Sequence, residues 1–206
     1  RDFQVSSITD IDIRTDGNLA VRLVEWRDGR RIPRITGKLA VKEANITMDI
    51  TQTGGTTEGA EFTRPTPRPN WLAAVDLDAA KNVWIRNQDL SVEMEGDLIL
   101  NRDERGLYFR GDMSILRGSY YVYGNKFEIT DGSFDFSASE TLRPSMQINA
   151  YTPFLGTTND NTGGTTDENI YLSLSWPYDE KEPRIKLSYA GAPGYSDAEI
   201  WAMLGQ

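Results

Sequence analysis

"GSYYVYGNKFEITDGSFDF", residues Gly118 to Phe136, decides the fold class. Its apolar residues alternate with polar ones, which is the period of a strand and not of a helix. Gly124-Asn125 and Asp131-Gly132 are dipeptides that favour two-residue hairpin turns, because those turns need positive φ, which glycine and asparagine adopt at little cost. Folding at both predicts a three-stranded meander. Tyr123 then faces Lys126, Val122 faces Phe127 and Tyr120 faces Ile129, while across the second turn Ile129 faces Phe134 and Phe127 faces Phe136. Directly opposed residues share a sheet face. One face carries Tyr120, Val122, Phe127, Ile129, Phe134 and Phe136; the other carries Tyr121, Tyr123, Lys126, Glu128, Ser133 and Asp135. The meander is apolar on one side only.

The same period extends outward in both directions. Leu19, Val21 and Leu23, then Leu39 and Val41, then Ile46, Met48 and Ile50 recur at every second position, with Asp16-Gly17 and Asp28-Gly29 read as turns between runs. Residues 51–70, "TQTGGTTEGAEFTRPTPRPN", have no period and read as a loop or linker. Strands resume with Trp71, Ala73, Val75 and Leu77, then Val83 and Ile85, then Leu90, Val92, Met94, Gly96, Leu98 and Leu100. The last run predicts a strand of about eleven residues, roughly 35 Å long. A six-residue loop, "NRDERG", would set Leu100 opposite Leu107, Leu98 opposite Phe109, Met94 opposite Met113 and Val92 opposite Ile115. In that register Gly96 meets Gly111, which predicts a sheet bend or a packing notch, and Asp97 meets Arg110 as a charge pair on the other face. The parity change between Ile115 and Tyr120 demands a turn or bulge in "LRGSY".

Further strands follow at Pro144, Met146, Ile148 and Ala150, at Ile170, Leu172, Leu174 and Trp176, and at Ile185, Leu187 and Tyr189. The polar loop "GTTNDNTGGTTDEN" separates the first two of these. Only the end reads as a helix: Ser196 and Glu199 form a capping box opening onto Ile200, Trp201, Met203 and Leu204 before Gly205. The total is about a dozen strands, and no long amphipathic helix exists to cover the apolar face. A second sheet, barrel closure, the sheet folding upon itself or a ligand must do so.

Composition narrows the function. A chain of 206 residues with 38% hydrophobic and 26% charged residues suits a folded domain. The longest apolar run is Trp71 to Val75, too short for a membrane-spanning helix, and no secretory signal is read at Arg1. A net charge of -9 and a pI near 4.6, with no Lys/Arg stripe, argue against nucleic acid. Cysteine and histidine are both absent, which removes disulfides, thiolate metal sites and the commonest general base. No Ser lies three residues before a Lys. The nearest approach to a nucleophile elbow, Gly194-Tyr195-Ser196-Asp197-Ala198, has Ala at its last position and no histidine to activate the hydroxyl. The expectation is a protein that is not an enzyme and uses no cofactor or metal. "NDNTGG", Asp10 with Asp12, and Asp76 with Asp78 are read as solvated acids and not as calcium ligands.

Four segments, in order, carry a resemblance: "KNVWIRNQDLSVEMEGDLIL", "LRGSYYVYGNKFEITDGSFDF", "RPSMQINA" and "PRIKLSYAGAPGYSDAEIWAMLG". Together they resemble the C-terminal domain of the TamB family, the inner-membrane-anchored subunit of the translocation and assembly module. The match runs from about Trp71 to Gln206; over residues 1–50, read as N-terminal strands, only "GKLAVKEANI" has the family's character. "YAGAPGYSD" departs from the family's compact link before the helix, and the segments 51–70 and 157–169 are insertions of this chain's own.

The resemblance implies an all-β fold: one long, curved, mostly one-sided sheet folded into a U-shaped β-taco with an apolar concave groove and one short C-terminal helix. Residues 1–206 would form a single segment of a longer periplasmic protein anchored in the inner membrane. The implied function is carriage of phospholipid between inner and outer membrane with a TamA-type outer-membrane partner. The alternative is a β-augmentation or chaperone module that assists outer-membrane protein assembly or secretion, with nascent β-proteins as clients. If a groove forms, the residues expected to line it are Leu90, Val92, Met94, Leu98, Leu100, Leu107, Phe109, Met113, Ile115, Tyr120, Val122, Phe127, Ile129, Phe134, Phe136, Met146, Ile148, Ile170, Leu172, Leu174, Ile185 and Leu187. Gly96 and Gly111 would mark its bend or notch. A sealed two-sheet core or an outer-membrane barrel would give the same alternation.

Overall fold

In a computed structural model of the chain, residues 2–8, 11–47, 69–122, 124–137, 144–155, 167–180, 182–190 and 194–205 are described. Their strands are β1 (Asp2–Ile8), β2 (Ile11–Glu25), β3 (Arg31–Ile46), β4 (Leu72–Arg86), β5 (Leu90–Asp103), β6 (Gly106–Val122), β7 (Asn125–Asp135), β8 (Ser145–Leu155), β9 (Asp167–Trp176) and β10 (Arg184–Tyr189), followed by the helix α1 (Asp197–Leu204). All ten strands form one sheet in chain order, and β1 and β10 do not pair with each other. The sheet is therefore open. Neither a barrel nor a second sheet is present among the described residues.

Every neighbouring pair is antiparallel except β3 and β4, which are parallel. A parallel pair needs a crossover of a dozen residues or more, and the stretch expected to be a loop or linker, 51–70, falls in that connection, with 51–68 outside the described residues. The polar loop expected over 156–169 is likewise outside them up to residue 166, and its last residues, from Asp167, belong to β9.

Among the described residues ten strands stand where a dozen were expected, because two predicted turns lie inside longer strands, one of them at a bulge. Asp16 and Gly17 sit within β2, opposite Ala40 and Leu39. Asp131-Gly132 is not a hairpin either. The register against β8 shifts between Ile129 and Asp131, and Gly132 continues β7 opposite Ile148. One extra residue reverses side-chain parity as a two-residue turn does, so Phe134 still shares the face of Phe127. Gly132 instead serves as a notch: a Cβ built there would lie 2.6 Å from Ile115 Cδ1.

Two predicted registers are corrected by two residues. Val122 pairs with Asn125 and Tyr120 with Phe127, so the turn centres on residues 123–124, with Gly124 at φ +81°. Tyr123 itself is outside the described residues. The β5–β6 tip is tighter than the six-residue loop expected, because Asp103 organises it: its carboxylate accepts from Arg105 N at 2.8 Å and from Tyr108 Oη at 2.8 Å. Leu100 therefore pairs with Phe109, Leu98 with Gly111 and Gly96 with Met113; Asp97 meets Asp112, and Arg110 meets Ile99. Gly96 and Gly111 do not face each other. A slip of two leaves every face unchanged.

The bulges line up. Registers shift at Arg14/Thr15 in β2, between Ala40 and Ala44 in β3, between Ala79 and Val83 in β4, at Glu93/Met94 between β5 and β6, and between Ile129 and Asp131 in β7. The shift opposite Leu116 is the bulge that "LRGSY" requires. Bulges bend strands and increase their twist, so a row of them creases the sheet across its width. Curvature also brings the inner-face rings of Phe154 on β8 and Tyr189 on β10 to 5.8 Å, edge to face, across the intervening β9.

The helix covers one end of the inner face. Its capping box forms as the sequence requires: Ser196 N donates to Glu199 Oε2 at 2.7 Å and Ser196 Oγ accepts from Glu199 N at 3.4 Å. Asn125, freed from the turn, donates from Nδ2 to Leu204 O at 2.8 Å. That bond carries the helix end from β10 back to the start of β7, three strand spacings or about 14 Å, close to the ~12 Å length of eight helical residues. Ile200 and Leu204 enter the core.

Candidate functional site

All the residues expected to line a groove lie on the inner face, and each is buried or half-buried. They divide into two zones. Near the crease and under α1 the face is closed: Val92, Phe127 and Ile170 are 0% exposed, with Met94, Ile148 and Leu172 beside them in one continuous cluster. Burying each such side chain fully contributes about 1.5–3 kcal/mol. Beyond the crease, toward the β2–β3 and β5–β6 tips, the face opens. Leu98, Leu100, Leu107 and Phe109 are half-buried.

This opening zone extends onto strands absent from the expected lining. Directly opposed residues form three rungs across β2–β6: Gly17, Leu39, Leu77, Leu98 and Gly111; then Leu19, Gly37, Val75, Leu100 and Phe109; then Val21, Ile35, Ala73, Arg102 and Leu107. On β2 the apolar wall reaches solvent, with Leu19 44%, Val21 66% and Leu23 57% exposed. The period-two run of Leu19, Val21 and Leu23 was the signal for this wall; its exposure was not readable from periodicity.

The rungs require close backbone approach. A Cβ on Gly111, at φ +120°, would lie 2.1 Å from Asp97 O, and one on Gly96 would lie 2.3 Å from Asp112 O. Both glycines thus mark backbone contacts across the β5–β6 pair, in separate rungs.

The outer face is polar. A cavity of ≈ 730 Å³ runs along the first rung; Gly17, Leu39, Leu77, Leu98 and Gly111 line it together with the flanking Asp16, Asn18, Lys38, Asp76, Asp78, Asp97 and Arg110. The flanking side chains alternate with the leucines and so point away from the apolar face. Lys38 Nζ approaches Asp76 Oδ2 at 3.5 Å, an exposed pair of the kind that contributes little to stability. The buried Glu93 accepts from Arg117 Nε at 2.6 Å and from Asn82 N at 3.2 Å, pinning the crease at the β4 bulge, while Arg117 and Arg86 stack on Trp84.

An exposed ion pair joins the two tips. Arg27 Nη1 of the β2–β3 turn lies 3.0 Å from Glu104 Oε2 of the β5–β6 turn, although three strand spacings, about 14 Å, separate those turns in a flat sheet. Burial pushes the Asp103 carboxyl up, but hydrogen bonds from Arg105 and Tyr108 outweigh it and hold it below the usual carboxylate range. Asp103 is thus committed to its own turn.

Among the described residues no group of three or more acidic side chains is placed to hold a metal ion, and no helix is long and apolar enough to cross a membrane. "NDNTGG" and Asp10 lie outside the described residues.

No curated protein matches the chain. A family model does, described as the TamB C-terminal domain; it matches residues 1–205, including the N-terminal strands where the resemblance in sequence is weakest. Match and fold agree, since the ten-stranded open sheet with its crease and terminal helix is the curved all-β architecture expected of such a domain. The chain belongs to the TamB C-terminal domain family.

Proposed function

We propose that the inner face is a lipid groove, and that this module carries phospholipid acyl chains across the periplasm between inner and outer membrane, working with a TamA-type outer-membrane partner. One observation carries the reading: the apolar wall of Leu19, Val21 and Leu23 stands in solvent and is continuous along the rungs with the half-buried Leu39, Leu77, Leu98 and Leu100. An exposed apolar patch contiguous with a concave face marks a surface that takes up an apolar guest. Each methylene removed from water contributes about 0.8 kcal/mol, so ten give roughly 8 kcal/mol, while the head group stays hydrated at the rim. Similar rungs repeated from strand to strand let a chain slide with little change in energy. Ten strands at about 4.8 Å spacing span some 43 Å, against acyl chains that fill half of a ~30 Å bilayer core. The lining of this groove is the open zone of the inner face, Leu98, Leu100, Leu107 and Phe109, extended by Leu19, Val21, Leu23, Leu39 and Leu77.

Mass spectrometry of organic extracts from the purified protein tests this. Phospholipid is expected from the parent chain and several-fold less from a Leu19→Gln, Val21→Gln, Leu23→Gln variant, whose substitutions are exposed and leave the core intact. Equal amounts from both, or none from the parent, would overturn the reading.

A second reading has its own support. β1 covers β2 only from Ile11 to Asp16, so the edge of residues 17–25 has no strand partner among the described residues. An edge with unpaired backbone groups is a template for strand addition, which suits docking of a strand from a TamA-type protein or a nascent outer-membrane protein.

A further inference from the structure

We infer that Arg102, stacked on Trp71 at the open end of the inner face, is the binding group for an anionic phosphate. This rests on the groove reading and specifies the ligand's polar end. Arg102 occupies the third rung, in line with Val21, Ile35, Ala73 and Leu107, which are all apolar. A cation placed there is costly unless something repays its desolvation. Nothing among the described residues does so fully: Arg102 Nε is buried without a hydrogen-bond acceptor. Its guanidinium lies 4.4 Å from the Trp71 ring centroid.

Three of the four carboxylates at the two tips are already engaged, Glu25 being the other. Asp103 binds Arg105 and Tyr108, Glu104 binds Arg27, and Asp28 binds Arg30. The Trp71 ring holds the guanidinium in place, and no hydrogen bond among the described residues takes up its N–H groups, Nε among them. Those groups form the planar fork that matches two oxygens of a phosphate, where lysine offers only a point charge. The surroundings supply the rest of a phospholipid site: the exposed wall of Leu19, Val21 and Leu23 lies on the same face, so acyl chains on that wall would place a phosphate toward the guanidinium.

The shared chemistry is a phosphate oxyanion, from either a lipid head group or free phosphate. Calorimetry on the full chain with water-soluble short-chain probes separates the two. The parent is expected to bind dihexanoylphosphatidylglycerol about tenfold or more tightly than uncharged dihexanoylglycerol, the size of a charge-assisted hydrogen-bonded contact. Arg102→Met should abolish that preference while leaving dihexanoylglycerol binding unchanged, and Arg102→Lys should restore only part of it. If inorganic phosphate binds alone and Arg102→Met abolishes it, the guanidinium is an oxyanion site and free phosphate is its source. A preference that survives Arg102→Met, or no preference in the parent, would overturn the assignment while leaving the groove standing. Failure of both lipids to bind would overturn the groove and the assignment together.

Discussion

Replacing Gly111 with valine is expected to destabilise the fold by about 3 kcal/mol or more, the range for backbone strain combined with a steric clash. The residue sits at φ +120°, and any Cβ would be 2.1 Å from the backbone oxygen of Asp97, which cannot swing aside as a side chain could. A β-branched side chain fits that conformation worst. Relief requires β5 and β6 to separate in the middle of the apolar rungs, so the loss should appear as a lowered denaturation midpoint and early exchange of β5–β6 amides. Gly205→Ala is the control, since Gly205 has φ -88° and a Cβ there would meet only ordinary contacts, the nearest at 3.6 Å. Equal midpoints for Gly111→Val and the parent would mean that the sheet does not pack backbone to backbone at this rung.

Truncating Phe127 to alanine is expected to cost about 3–5 kcal/mol in urea denaturation, the cost of a large cavity in a closed core. Phe127 is 0% exposed, opposite Tyr120 on β6 and within the cluster that includes Ile200 of α1. The measurement also separates the two zones of the inner face. A passage lined by Phe127 and filled by exchangeable guests would lose far less on truncation, because no packed neighbours would be left facing a void. A cost below about 1 kcal/mol would therefore extend the open zone inward, to the crease.

The faces of this sheet were legible in the sequence; the registers were not. Alternation assigned Phe127, Phe134, Met113 and Leu98 to one side, and a two-residue slip, as at the β5–β6 tip, preserves such assignments. What alternation cannot distinguish is a two-residue turn from a one-residue bulge, since both invert parity; Asp131-Gly132 looked like the first and is the second. Tip geometry depended on side chains outside the hairpin pattern, notably the Asp103 carboxylate folding back on Arg105 and Tyr108. The helix was legible to its cap at Ser196, but not its destination, because the bond from Asn125 to Leu204 joins residues 79 positions apart. The exposure of Leu19, Val21 and Leu23 depends on which strands lie opposite them in space, and no local pattern encodes that. Arg102 went unremarked for the same reason: only the register places a cation in an apolar rung.

The central claim is that the inner face accepts a hydrocarbon chain. Val21 and Arg22 test it most directly, because they are adjacent, both exposed, and on opposite faces of β2. A photoreactive amino acid at each position in turn, irradiated in the envelope of intact cells and analysed for lipid adducts, compares the two faces at equal accessibility. The account predicts phospholipid adducts at Val21 and a background yield at Arg22. Equal yields at the two positions, or adducts at Arg22 alone, would contradict it.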